Sequence, residues 1–97
     1  MKIVLSNEAM AWFKEEMETT SGEYIRFYAR YGGSSQLHEG FSLGVTKEYK
    51  THSGGIQTET DGITFYIEES DIWYLDGNDM LVELNSATNE LEFNFSK

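Results

Sequence analysis

The apolar residues change their period once, near residue 22, and that change decides what the chain can fold into. Before it, Ala9, Phe13 and Met17 recur at a spacing of four, with Met10 and Trp12 widening the stripe. Lys14, Glu15, Glu16 and Glu18 mostly take the other side. This is the pattern of an amphipathic helix, predicted from about Asn7 to about Glu18. Ser6 is a good N-cap, because its hydroxyl can accept from an unpaired N–H of the first turn. Glu8 suits the positive end of the helix dipole. Thr19 to Gly22 end the helix. Ahead of it, Lys2 to Leu5 reads as an opening or edge strand.

After residue 22 the period is two. Ile25, Phe27, Ala29 and Tyr31 fall on one face of a strand; Tyr24, Arg26, Tyr28 and Arg30 fall on the other. Phe41, Leu43 and Val45 alternate with small residues, as Ile63, Phe65 and Ile67 alternate with Thr64, Tyr66 and Glu68. Each reads as a half-buried strand. IQTET and ITFYIEE are joined by Asp61-Gly62, a favoured two-residue hairpin turn. KEYKTHSGG is a polar, Gly-ended loop. Ser70 is placed to cap a short helix, Asp71 to about Leu75, closed by Asp76-Gly77-Asn78. MLVEL and LEFNF alternate again, with NSATNE as their turn. Runs of strands with few helices predict antiparallel pairing in a mainly β or α+β fold. Residues 1–97 are expected to form a single domain.

Composition narrows the function classes. Seventeen acids against seven bases give a net charge of −10. That repels nucleic acid, which is bound through cations neutralising phosphates, and disfavours anionic membranes. We read the charge first as a solubility device, with a cationic partner as the alternative. No apolar run approaches the roughly 20 residues of a membrane span. The N-terminal apolar segment is too short for a signal peptide, so a cytoplasmic location is expected. The chain has no cysteine. Disulfides, thiolate nucleophiles and Cys-ligated metal sites built from this chain alone are therefore excluded.

Three groups of residues are candidates for function. Tyr24, Arg26, Tyr28 and Arg30 place two of the seven bases between two tyrosines on one strand face. Tyr and Arg are enriched at binding hot spots, so this face is a candidate partner-binding surface. The alternative is a solvated face whose arginines pair with acids such as Glu59 or Glu68. His38, Glu39 and His52 lie in two loops that the fold can bring together as a metal site; the alternative is a pair of surface histidines. Glu68, Glu69 and Asp71 sit where a helix starts, where acids are stabilising without any catalytic task. No nucleophile motif, phosphate loop or dinucleotide fingerprint occurs, and no enzymatic activity is expected.

YARYGGSSQLHEGF, residues 28–41, opens as a strand, breaks at Gly32-Gly33 and resumes near Phe41. In IRFYARYGGSS and EGFSLGV the order of words resembles the HesB-like family, the A-type iron–sulfur cluster assembly and carrier proteins. DGITFYIEESDIWYLDG resembles that family's middle, and the terminal hairpin fits as well. The resemblance spans nearly the whole chain. It implies a compact, barrel-like sandwich of antiparallel sheets with one N-terminal helix and one short helix. It also implies a cluster held by three cysteines, one after the glycine pair and two in a tail beyond the last strand. Here the first position is Ser34, following Gly32 and Gly33, and the tail pair has no counterpart. A serine hydroxyl is a hard donor that stays protonated near neutral pH, whereas clusters are held by soft thiolates. The resemblance thus carries over the fold and not the cluster, and no cofactor is expected. The function it implies is that of an accessory or interaction module tied to iron–sulfur biogenesis. Protein partners are expected, with iron–sulfur assembly components among the candidates.

Overall fold

A computed structural model describes residues 1–34, 37–49 and 55–96. Two sheets form a sandwich. The first holds β1 (Ile3–Leu5), β6 (Asp79–Asn85) and β7 (Glu90–Ser96) in the order β1-β6-β7. The second holds β2 (Tyr24–Ser34), β3 (Glu39–Glu48), β4 (Ile56–Thr60) and β5 (Ile63–Ile67) in the order β3-β2-β5-β4. Helix α1 (Asn7–Glu16) and a 3-10 helix (Glu69–Leu75) complete the described elements. The mainly β sandwich with two helices is the architecture expected, although its two sheets do not close into a barrel.

The expectation of antiparallel pairing needs one correction. β1 pairs with β6 and β2 with β5 in parallel. The β2–β3 and β4–β5 hairpins lie side by side, joined through β2 and β5. Alternation reports which face of a strand is buried and not which strand lies beside it, so sequence period cannot supply this join.

Local signals explain most element boundaries. Ser6 caps α1, its Oγ accepting from the Ala9 N–H at 3.1 Å. Ala9, Met10 and Phe13 are the buried stripe. The helix stops two residues before the predicted end. Glu18 takes a left-handed backbone (φ 51), and the Thr19 N–H donates to the Phe13 carbonyl at 3.1 Å. A glutamate in that conformation is unfavourable in isolation, which is why the sequence does not announce it. The Asp61-Gly62 turn has φ 54 and φ 78, the two positive values that a type I′ hairpin requires. The 3-10 helix begins at Glu69, after Glu68 as an N-cap that makes no side-chain cap bond, so Ser70 lies inside it rather than at its end.

The core is largely aromatic at its centre. Phe13 meets Phe65 at 5.1 Å and Phe27 at 6.1 Å between ring centroids, and Phe93 meets Phe27 at 5.8 Å. Ile3, Met80 and Val82 close it from the smaller sheet, and Ile25, Ile63 and Ile67 from the larger. Edge-to-face rings at these separations add to the burial of area. β5 departs from simple alternation: Tyr66, on its other face, is also buried.

Candidate functional site

The outer face of β2 is organised by Arg26. Its Nη2 lies 3.0 Å from Asp71 Oδ2 and 3.4 Å from Glu68 Oε2. Its guanidinium carbon stands 5.6 Å from the centre of the Tyr28 ring. Glu68 is thus a partner anticipated from sequence, and Asp71 an additional one. Burial alone disfavours the guanidinium charge. The Asp71 hydrogen bond and the charges of Glu68 and Asp71 outweigh it and raise the proton affinity above the ordinary value. Arg26 therefore ties the start of the 3-10 helix to the centre of β2. Tyr28 lies across the bare backbone of Gly44, its partner on β3; a Cβ there would overlap the ring. Tyr24 is half-buried opposite Glu48 and Thr64. Arg30 is exposed. The structure thus brings Arg26 and Tyr28 together and leaves Arg30 at the open end of the face.

Tyr66 lies beside this cluster, and its phenol is pushed above the usual 10.0. Burial is the main cause, the charges of Glu48 and Glu68 add to it, and Arg26 opposes it. The sign follows from linkage: below pH 10 the phenol is protonated in both states, and above it the unfolded chain loses its proton first. Stability should fall as pH rises beyond the usual tyrosine value. Urea midpoints measured from about pH 8 to about pH 11 should decline, and Tyr66→Phe should flatten that decline. An identical decline in the variant would contradict the assignment.

The glycine pair does not end the strand. Gly32 (φ 113) and Gly33 (φ 70) stay within β2, which pairs on as far as Ser34 with Glu39. The register shifts between Tyr31 and Ser34. The glycines therefore make an irregularity near the hairpin tip, and the break expected at this point is corrected. His38 faces the 3-10 helix: its Nε2 is 3.0 Å from the Tyr74 carbonyl oxygen, and its ring packs against Trp73 and Tyr74. Glu39 is exposed. His52 lies outside the described residues. Among the described residues no three His, Asp or Glu side chains gather closely enough to hold a metal ion.

A row of rings beside the loop carries no sequence signature. Tyr31 meets Phe41 at 5.6 Å, Phe41 meets Trp73 at 5.3 Å, and Trp73 meets His38 at 5.2 Å. His38 continues to Tyr74, and Tyr74 to Phe95. Tyr31 is 90% exposed and Trp73 48%, whereas Tyr74 is buried. Tyr31 shares the strand face of the buried Ile25 and Phe27, so its period predicts a core residue. β2 runs past the core before Tyr31 is reached. An iron–sulfur cluster, which the HesB-like resemblance implies for the family, does not fit these residues. The described side chains in this row are aromatic rings, and the chain supplies no thiolate.

No family model matches the chain. A protein of Bacillus subtilis named pyruvate dehydrogenase inhibitor is 44% identical over 95 residues, covering 98% of this chain and 99% of that one. An uncharacterised protein of Staphylococcus saprophyticus is 36% identical over 95 residues, covering 96% and 97%. The chain belongs to this family. An uncharacterised Staphylococcus aureus member is 35% identical over 99 residues, covering 100% of this chain and 99% of that one. Among solved structures, Escherichia coli SufA, described as involved in biosynthesis of iron–sulfur clusters, superposes with a TM-score of 0.65 at 14% identity. The match covers 98% of this chain and 86% of SufA. At that identity the likeness shows the fold, which is HesB-like, and nothing of the chemistry. This chain thus shares its scaffold with an iron–sulfur assembly protein.

Proposed function

We propose that this protein is a non-enzymatic inhibitor that acts by binding pyruvate dehydrogenase in the cytoplasm. The observation that carries the reading is the 44% identity to the Bacillus subtilis inhibitor across essentially the full length of both chains. Two features support it. The chain offers no cysteine for a cluster, so the HesB-like fold serves as a scaffold for a surface. That scaffold exposes the aromatic rings of Tyr31 and Trp73 and, on the other face of β2, the side chain of Arg30, residue types that anchor protein contacts. Inhibition of this kind needs no reacting group on the inhibitor; it needs a pre-formed surface whose contacts do not cost much ordering.

The reading is tested in a Bacillus subtilis strain lacking its own inhibitor. Expression of this chain should lower pyruvate dehydrogenase activity in cell extracts relative to the empty strain, with the enzyme's abundance unchanged. Activity equal to that of the empty strain, with the chain present in folded form, would refute it.

A further inference from the structure

We infer that Tyr31, Phe41 and Trp73 form the docking surface of this protein, and that its occupant is a segment of another protein bearing both basic and apolar side chains. For the identity of that other protein the inference rests on the function proposed above; for the surface itself it rests on geometry.

Tyr31 lies on the strand face that is core at Ile25 and Phe27, yet it is 90% exposed. Its cross-strand partner is Phe41 on β3, and the two rings meet edge to face. Trp73 packs against Phe41 from the 3-10 helix and leaves 48% of its area open. Phe41 and Trp73 are backed by further rings. Through His38 and the buried Tyr74 the row runs back to Phe95, and β2 and β3 are paired along their length. Large aromatic side chains held in place before binding are the usual anchors of an interface, since little freedom is lost when a partner arrives.

Charge selects the occupant. Within four residues of Phe41 or Trp73 in sequence, Glu39, Glu69 and Asp76 are exposed. Arg30 is the nearest base in sequence, and it lies on the opposite face of β2 from Tyr31. Asp71 is already engaged by Arg26. No lysine occurs between Lys14 and Lys47, nor from Thr51 to Ser96. The exposed charges that flank Phe41 and Trp73 in sequence are therefore acidic, on a chain of net charge −10, which favours a basic segment. A second copy of this chain would bring the same acidic residues to the same place, and like charges set against each other weaken docking.

The probe is a labelled synthetic peptide of alternating lysine and leucine, titrated with wild-type protein and with Tyr31→Ser, Trp73→Ser and Val4→Ser. None of these substitutions changes charge, so the aromatic contact is separated from bulk electrostatic attraction. Val4 is exposed on the other sheet and serves as the control. Wild type and Val4→Ser should bind alike, and Tyr31→Ser should bind at least ten-fold more weakly with an unchanged circular dichroism spectrum. Trp73→Ser should follow it. Equal binding by Tyr31→Ser, or no binding by wild type, would overturn the inference. So would sedimentation showing a wild-type dimer that Tyr31→Ser abolishes, because the occupant would then be a second copy. Tyr31-dependent peptide binding by a protein that fails to slow pyruvate dehydrogenase would uphold the surface and defeat the functional reading alone.

Discussion

Replacing Phe13 by alanine should destabilise the protein by about 3–5 kcal/mol, the usual range for a buried phenylalanine truncated to a methyl group. Phe13 is fully buried and joins α1 to both β2 and β5 through edge-to-face contacts with Phe27 and Phe65. Trp12 flanks it at 5.3 Å. The rings it touches sit on paired strands, so the space left behind cannot close without shearing a sheet. Domains of this size are stable by only about 5–15 kcal/mol, so the loss removes a large share. The melting midpoint should drop by at least ~12 °C on the usual scaling for a domain of this length. Phe13→Leu fills most of the volume and should cost less than half as much. Urea titration of both variants reads this directly. A Phe13→Ala loss under about 1 kcal/mol, well below the range for such sites, would mean that Phe13 is not what anchors α1 on the larger sheet.

Arg26→Ala should be the next most damaging change, at about 2–3 kcal/mol. Removing one partner of a fully buried ion pair costs about 3–5 kcal/mol, and this triad is partly shielded rather than sealed: the three side chains are 25%, 19% and 15% exposed. Without the guanidinium, Glu68 and Asp71 are left as neighbouring negative groups, and Tyr28 loses the cation beside its ring. Arg26→Lys should recover only part of the loss, because a compact, strongly hydrated ammonium replaces the planar guanidinium that stands beside the Tyr28 ring. The measurement is again a denaturation midpoint. A lysine variant equal to wild type would show that charge alone, and not the guanidinium's shape, holds the 3-10 helix to β2.

Much of the architecture was legible because single residues carry local physics. Ser6 announces a cap. Asp61-Gly62 announces a hairpin through its positive φ values. Met80 and Val82 alternate into the core as their period implies. What was not legible depends on neighbours far away in sequence. The parallel join of β2 to β5 leaves no mark on either strand. The pairing of Asp71 with Arg26 spans 45 positions, and only Glu68 of the two acids was foreseen as a partner. Tyr31 misleads in the opposite direction: its period is that of a core residue, while its position at the end of a long hairpin puts it in solvent. Trp73 sits in a run, IWYL, whose hydrophobicity reads as interior throughout, yet the short helix buries Tyr74 and Leu75 and turns Trp73 outward. The absence of cysteine argues from the outset against a thiolate-held cluster on this scaffold, whereas the inhibitor reading has no signal in the residues and rests on the name of one full-length relative.

The most direct test is a titration of purified protein into purified Bacillus subtilis pyruvate dehydrogenase, following the rate of pyruvate oxidation. An inhibitor that works by docking should lower the rate saturably, co-sediment with the enzyme, and lose potency on Tyr31→Ser. A rate that stays constant at every concentration, with no co-sedimentation, would contradict the proposed function outright.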